Sequence, residues 1–330
     1  FTAERIDSVE LHPYKELITN GLGSIMVAHL EVPELEEKPG LPSSLSYAIV
    51  SDLLKDSMQF EGLVMTDALN MKGVSTFSDS GSVDLTAFLA GHDVLLFSEN
   101  VPVGIASIVN AFNEGRFTEE RLAHSVKKIL AAKYAVGLQE LKPLPTENLI
   151  AELNTEINGE LHRKAAEQSV TVIKNEADLV PLNPNTKVAY LSLGDGNGEP
   201  YRKALSAAMN IEFSPDYNDP NVEVVIIGYH RKNYRRSYRI STSEKETIER
   251  IAGKKKVILH VFASQYALVP LSFDTIEAVI ISYENSGLFQ EIGAQVLAGQ
   301  LSATGRLPAR FNADFDTGFG IDLQADQVDN

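Results

Sequence analysis

Phe60–Gly73 reads FEGLVMTDALNMKG, and the fold of the first half of this chain turns on it. Gly62–Thr66 (GLVMT) is a short, nearly uninterrupted apolar run, the pattern of a strand buried on both faces. It stops at Asp67, and a polar turn with Asn70 and Gly73 follows. An aspartate between a strand and a turn has two readings from spacing alone. It is a good capping residue, because its carboxylate accepts backbone N–H groups. It is also a carboxylate at the carboxyl end of a strand, where parallel α/β proteins carry their chemistry.

Two further runs of the same kind flank it, Ser24–Leu30 (SIMVAHL) and Asp93–Phe97 (DVLLF). Amphipathic stretches separate them. Ile6, Val9, Tyr14, Leu17 and Ile18 recur at near-helical spacing, with Gly21 as a stop; Ser43 or Ser44 caps a helix whose apolar face holds Ile49, Leu53, Leu54 and Met58. Helices are expected near Val83–Ala90, Val103–Phe112 and Thr118–Val136. Alternation of apolar strands and helices predicts a parallel sheet covered by helices. Three strands do not close a barrel. Either five strand–helix units of a (β/α)8 barrel precede Phe1, or the three strands join a smaller open sheet.

Periodicity fades after residue 137, and 138–160 read as a linker opening with Lys142, Pro143, Leu144 and Pro145. Residues 161–330 resume the alternation. A helix is expected over Leu161–Ser169, then strands over Val170–Lys174, Lys187–Leu193, Val222–Tyr229, Lys256–Ala263 and Ala278–Tyr283. Helices near Tyr201–Met209, Thr242–Ile251 and Leu288–Ala298 complete an α/β sandwich with a mostly parallel sheet.

Of the 330 residues, 44% are hydrophobic and 22% charged, enough to fill two cores, and no stretch approaches the ~20 apolar residues that cross a bilayer. The net charge of −16 repels phosphate backbones, so nucleic acid is not expected as a partner. The absence of cysteine excludes disulfides and thiolate chemistry and leaves the compartment open. The seven histidines show no metal-ligand spacing, so neither metal nor cofactor is expected. Gly194–Gly198 (GDGNG) lacks the full phosphate-loop form and reads as a turn.

Phe60–Gly73 closely resembles the nucleophile region of family 3 glycoside hydrolases, especially bacterial β-N-acetylglucosaminidases: an apolar strand, Thr66, Asp67, then a turn with Met71 and Gly73. Ser24–Pro33, with His29, resembles the barrel strand before it, and Ala90–Phe97 the last barrel strand. Gly299–Phe311 is similar to the end of the family's C-terminal domain. The resemblance implies that residues 1–137 are strands six to eight of a TIM barrel, with Asp67 at the carboxyl end of the seventh. It implies a retaining glycosidase that removes terminal β-N-acetylglucosamine from cell-wall or chitin-type oligosaccharides through a covalent intermediate on Asp67. A β-glucosidase or β-xylosidase of the same family, or a catalytically incomplete interaction module, are the rivals.

His29, Thr66, Asn70 and Met71 follow as residues that contact the sugar or brace Asp67. The family's acid/base loop has no counterpart here, so on this reading the chain begins just after it, and this segment alone is expected to be inactive. Other domains of a longer polypeptide are then its natural partners, and the compartment stays open between extracytoplasmic and cytoplasmic in a bacterium. His92 reads as structural, Asp93 as lying at the wrong strand end for catalysis, and Glu99 as a weaker candidate. Arg231–Arg239 (RKNYRRSYR) is the one concentrated basic run, and Arg235 and Arg236 are candidate contacts for an anionic group.

Overall fold

The structure, a computed structural model, describes all residues except Thr76, Leu141, Leu144, 233–238 and 326–330. The chain divides into two compact units, Phe1–Leu144 and Pro145–Asn330, of mixed α/β construction with mainly parallel sheets.

In the first unit, strands β1 (Ser24–Val27) and β2 (Leu63–Thr66) run parallel, with Ser24 opposite Leu63 and Val27 opposite Thr66. Ile25, Val27 and Val64 pack with Val50 and Leu54 of the wide-turned helix Ala48–Ser57, and with Phe60 and Ala90. A second small core joins Leu41, Leu45, Leu69, Val74, Val83 and Ala87 beneath helix Ser80–Ala90.

Two expectations change here. Asp93–Phe97 does not form a third strand; Val94 makes one parallel bridge to Met65. The reason is local. The Leu96 N–H bonds to the Thr66 hydroxyl at 2.9 Å, where a ladder would use a backbone carbonyl. Nor is β1 buried on both faces: Ile25 and Val27 are covered, whereas Met26 is 53% exposed, because helices pack on one side only. The first helical face is likewise largely uncovered. Over Ala3–Arg5, Ile6–Glu10 and His12–Thr19, Ile6 is buried while Val9, Tyr14 and Leu17 are exposed. Helices Val101–Asn113 and Glu119–Ala135 complete the unit.

The second unit is a sandwich around a five-stranded sheet in the order β3-β7-β6-β5-β4. Its strands are β3 (Thr171–Asn175), β4 (Val188–Gly194), β5 (Val224–His230), β6 (Lys256–Phe262) and β7 (Ala278–Ile281); β3 alone is antiparallel to its neighbour. The period of two divides the strand residues between two cores. Val224, Ile226, Ile258, Phe262, Ala278 and Ile280 face helices Glu156–Ser169, Glu199–Met209 and Gly287–Leu297. Val225, Ile227, Leu259, Val261, Val279 and Ile281 face helix Thr242–Ala252 and the segment with Leu307, Phe311 and Phe315. Ser241 begins that helix with a full capping box, its hydroxyl accepting from Glu244 N–H while the Glu244 carboxylate accepts from Ser241 N–H.

Candidate active site

Asp67 follows the last residue of β2, at the carboxyl end of the parallel pair. Its N–H donates to the Val27 carbonyl at 3.0 Å, extending the β1–β2 ladder by one bond and fixing the residue's place. One carboxylate oxygen, Oδ1, accepts the Ala68 N–H at 2.7 Å. The side chain is half-buried, so it is reachable and held at once.

The turn behind it is pinned from three directions. The Ala68 carbonyl accepts the Met71 N–H at 3.0 Å, and the Leu69 N–H donates to the Leu96 carbonyl at 2.9 Å. His29, two residues past β1, reaches across with Nε2 lying 2.9 Å from the Ala68 carbonyl oxygen. Thr66 is fully buried and bonds to Leu96 rather than to Asp67. Asn70 is exposed, and among the described residues no hydrogen bond joins it to Asp67. Met71 is 46% exposed beside the same turn.

Neither Ser43 nor Ser44 caps the helix as expected; the Ser46 hydroxyl accepts the Ile49 N–H at 3.1 Å, and the other two serines hold His29. Ser43 Oγ donates to the Ala28 carbonyl at 2.6 Å and accepts the Leu30 N–H at 3.2 Å, gripping the chain on both sides of His29. Ser44 is fully buried, with its Oγ 2.6 Å from His29 Nδ1 and its carbonyl 2.8 Å from His92 Nε2. Nothing in their spacing distinguished these serines from ordinary helix starters. The one available signal was a hydroxyl-rich run, Pro42–Ser46 (PSSLS), in which burial consumes every serine. His92 is completely buried, which pushes its pKa down to about 4 and keeps the ring neutral.

Asp93 belongs to the opposite end of β2. Its Oδ2 accepts the Val64 N–H at 3.0 Å and pairs with Lys128 at 2.9 Å, while Oδ1 accepts the Ser125 hydroxyl at 2.5 Å. Burial alone would raise this carboxyl; the bonds from Lys128, Ser125 and Val64 outweigh it and hold the group below the ordinary carboxylate range. Three residues of extended chain, roughly 10 Å, separate Val64 from Asp67, so the two aspartates do not meet at one site. Glu99 is exposed beyond the 93–97 segment. Arg235 and Arg236 lie outside the described residues.

A groove of about 560 Å³ runs along β1 and is lined by Leu11, Tyr14, Met26, Leu30, Leu53 and Met58 among others; Asp67 does not line it. Among the described residues no cluster of histidines and carboxylates is arranged to hold a metal, and no helix is long and apolar enough to cross a membrane.

A polar cluster missed in the sequence sits at the carboxyl ends of β4 to β7 in the second unit. His230 Nδ1 lies 2.7 Å from Asn285 Oδ1 and its Nε2 lies 2.8 Å from the Tyr190 hydroxyl. His260 bonds the Tyr201 and Ser282 hydroxyls at 2.9 and 2.8 Å, and Phe262 stacks between the two imidazoles. The glycines of Gly194–Gly198 fit this cluster. A Cβ on Gly194, whose φ is +88°, would lie 2.1 Å from the His230 carbonyl oxygen, and the Gly196 N–H donates to that same oxygen at 2.8 Å. The segment is a bend between the end of β4 and the next helix, with these glycines set against the His230 backbone.

Comparison with known proteins adds a family. Residues 1–132 match the Glycosyl hydrolase family 3 N terminal domain. The chain is 28% identical over 177 residues to a beta-N-acetylglucosaminidase/beta-glucosidase of Cellulomonas fimi, covering 51% of this chain and 31% of that one. It is 26% identical over 220 residues to beta-hexosaminidase A of Pseudoalteromonas piscicida, covering 58% and 35%. The aligned part is thus about a third of the length of these two relatives. Among solved structures, a glycoside hydrolase family 3 beta-N-acetylglucosaminidase from Paenibacillus sp. str. FPU-7 has the same fold over 94% of this chain and 63% of its own. The TM-score is 0.73 at 24% identity.

Proposed function

We propose, on the premise that this chain belongs to glycosyl hydrolase family 3 through its first 132 residues, that it serves a retaining β-glycosidase whose nucleophile is Asp67. The observation that carries the reading is a half-buried carboxylate at the carboxyl end of a parallel strand, with its backbone tied to the neighbouring strand at 3.0 Å. A carboxylate so held attacks the anomeric carbon from one face. The bond from Asp67 Oδ to C1 forms as the bond from C1 to the leaving oxygen breaks, and that oxygen takes up a proton from a general acid. Water then attacks C1 of the glycosyl ester, gives up its proton to the same group, and releases Asp67 with net retention. We assign no residue of this chain to the acid/base role.

For the sugar, we favour a terminal β-N-acetylglucosamine, on the Asp67–Gly73 turn (DALNMKG) and on two relatives being named beta-N-acetylglucosaminidase/beta-glucosidase and beta-hexosaminidase A. The name of the Cellulomonas fimi relative also includes beta-glucosidase, so glucosides belong in the test.

The decisive experiment, on the native polypeptide that carries this sequence, is trapping with fluorinated aryl β-glycosides whose leaving groups depart without protonation, followed by peptide mass spectrometry. The expected result is one equivalent of label on the peptide containing Asp67, faster with the N-acetylglucosamine reagent than with the glucose reagent. Asp67→Ala abolishes the label and lowers turnover by ~10⁵-fold or more, the scale reached when the nucleophile of a covalent mechanism is removed. Label on another residue, or turnover unaffected by Asp67→Ala, overturns the reading. Faster labelling by the glucose reagent overturns the choice of sugar.

A further inference from the structure

We propose that Ser44 is a positioning residue for the Asp67 turn: its hydroxyl holds His29 in the tautomer protonated on Nε2, and His29 clamps the Ala68 carbonyl. This rests on the reading of Asp67 as nucleophile and assigns the means by which the turn behind it is held.

The argument is one of donors and acceptors. The Ala68 carbonyl has no hydrogen to give, so the 2.9 Å contact requires a proton on His29 Nε2. In a neutral ring Nδ1 is then an acceptor, and the Ser44 hydroxyl, 2.6 Å away, donates to it. Ser44 is set for this from behind. It is fully buried in a short 3-10 turn, Ser43–Leu45, and its own carbonyl accepts the Nε2–H of His92, which is equally buried. The order of bonds is therefore His92 to Ser44, Ser44 to His29, and His29 to the carbonyl of the residue immediately after Asp67. Ser43 grips the backbone on both sides of the same histidine.

A consequence separates two roles for His29. With both ring nitrogens bonded to the chain, none remains for a sugar hydroxyl, so His29 acts through the turn and does not bind substrate. Removing the Ser44 hydroxyl frees the imidazole to rotate. A turn that shifts by even a fraction of an ångström misaligns an in-line attack, which costs turnover rather than affinity.

The test is ¹⁵N and ¹³C NMR of histidine-labelled protein without any sugar, combined with steady-state kinetics of the native polypeptide that carries this sequence. In the parent protein, His29 is expected to show a protonated, slowly exchanging Nε2 and an unprotonated, hydrogen-bonded Nδ1. Ser44→Ala is expected to speed exchange of that Nε2 proton, to shift the Ala68 and Met71 amides, and to lower kcat by ~10–100-fold with little change in KM. Ser44→Thr, which keeps the hydroxyl, is expected to restore both. A proton on Nδ1 in the parent overturns the proposal whether or not any variant folds. So does a Ser44→Ala protein with an unchanged Nε2 proton, or one whose loss lies in KM alone. Because the NMR arm needs no substrate, it stands or falls separately from the trapping experiment on Asp67.

Discussion

Acid should weaken the second unit through His230, and the size of the effect follows from its surroundings. The imidazole is fully buried between Tyr190, Asn285 and the Phe262 ring, and burial pushes its pKa down to about 4. In the unfolded chain the same group titrates near 6.5. As pH falls, the unfolded state therefore takes up this proton first. The histidine's contribution is complete above about pH 6.5 and is lost between there and about pH 4. The gap corresponds to about 3 kcal/mol over the whole range and about 2 kcal/mol between pH 7 and pH 5. His260 lies behind the same phenylalanine ring, completely buried and held well below its ordinary value, and adds loss of the same sign.

The perturbation to use is His230→Gln, an uncharged side chain that does not titrate. Urea unfolding of parent and variant at pH 7 and pH 5 would be followed by far-ultraviolet circular dichroism, since the chain has no tryptophan. Amide exchange on β5 and β6 identifies the transition of this unit. The variant is expected to be less stable at pH 7 yet to lose about 2 kcal/mol less than the parent on going to pH 5. Carboxylate titrations common to both proteins cancel in that difference. The first unit holds its own buried histidine, His92 at about 4, and its transition should keep its pH dependence in the variant. The reasoning fails if His230 titrates near 6.5 in the native protein, or if both proteins lose the same stability on acidification.

Asp93→Ala should leave the Lys128 ammonium, the Ser125 hydroxyl and the Val64 N–H without their buried acceptor, costing ~3–5 kcal/mol in the first unit; a thermal unfolding midpoint within a degree of the parent's refutes this. Gly194→Ala places a methyl against the His230 carbonyl at a left-handed φ, and should cost more than the ~1 kcal/mol of an ordinary glycine replacement, as urea unfolding would measure. Ser241→Ala removes half of a capping box and should destabilise by ~1 kcal/mol, with faster amide exchange at Ser243 and Glu244 as its signature.

The second unit was legible because its strands are apolar on both faces. Val224–Tyr229 and Lys256–Phe262 have the composition that only a covered parallel sheet tolerates, and the period of two then assigns each side chain to a core. The 93–97 segment was misjudged for the same reason. An apolar run signals burial, but whether it pairs depends on which acceptor its N–H groups find, and the Thr66 hydroxyl intercepts the one on Leu96. Asp67 was singled out by the resemblance of Phe60–Gly73, since a strand ending at an aspartate left capping and catalysis both open. Ser44 was not, because a serine before a helix has a sufficient local explanation in capping. Its contacts lie 15 residues away at His29 and 48 away at His92, and no local pattern records such distances. The His230 cluster escaped notice likewise, being assembled from the ends of four strands that neighbour one another only in the folded sheet.

The two aspartates of the first unit show why a carboxylate's partners, more than its type, decide what it can do. Asp93 has a side chain with no exposed surface and three donors on two oxygens, one of them an ammonium at 2.9 Å. Any nucleophilic use would require breaking those bonds inside the protein, where an abandoned charge costs several kcal/mol. Asp67 is fixed chiefly through its backbone, by Val27 on one side and by the His29-braced turn on the other, and its carboxylate keeps a solvent-facing side. Holding the main chain while leaving the side chain accessible lets a group attack without first being unmade. If that division is right, substitutions at Ser44 and at Asp67 should fail differently. Ser44→Ala should leave covalent labelling of Asp67 intact but slower, whereas Asp67→Asn should abolish it with the Met71 amide unmoved, only the Ala68 amide responding because it donates to Asp67 Oδ1. Equal loss of labelling in both, with matching amide shifts, would mean that turn and nucleophile are not separable.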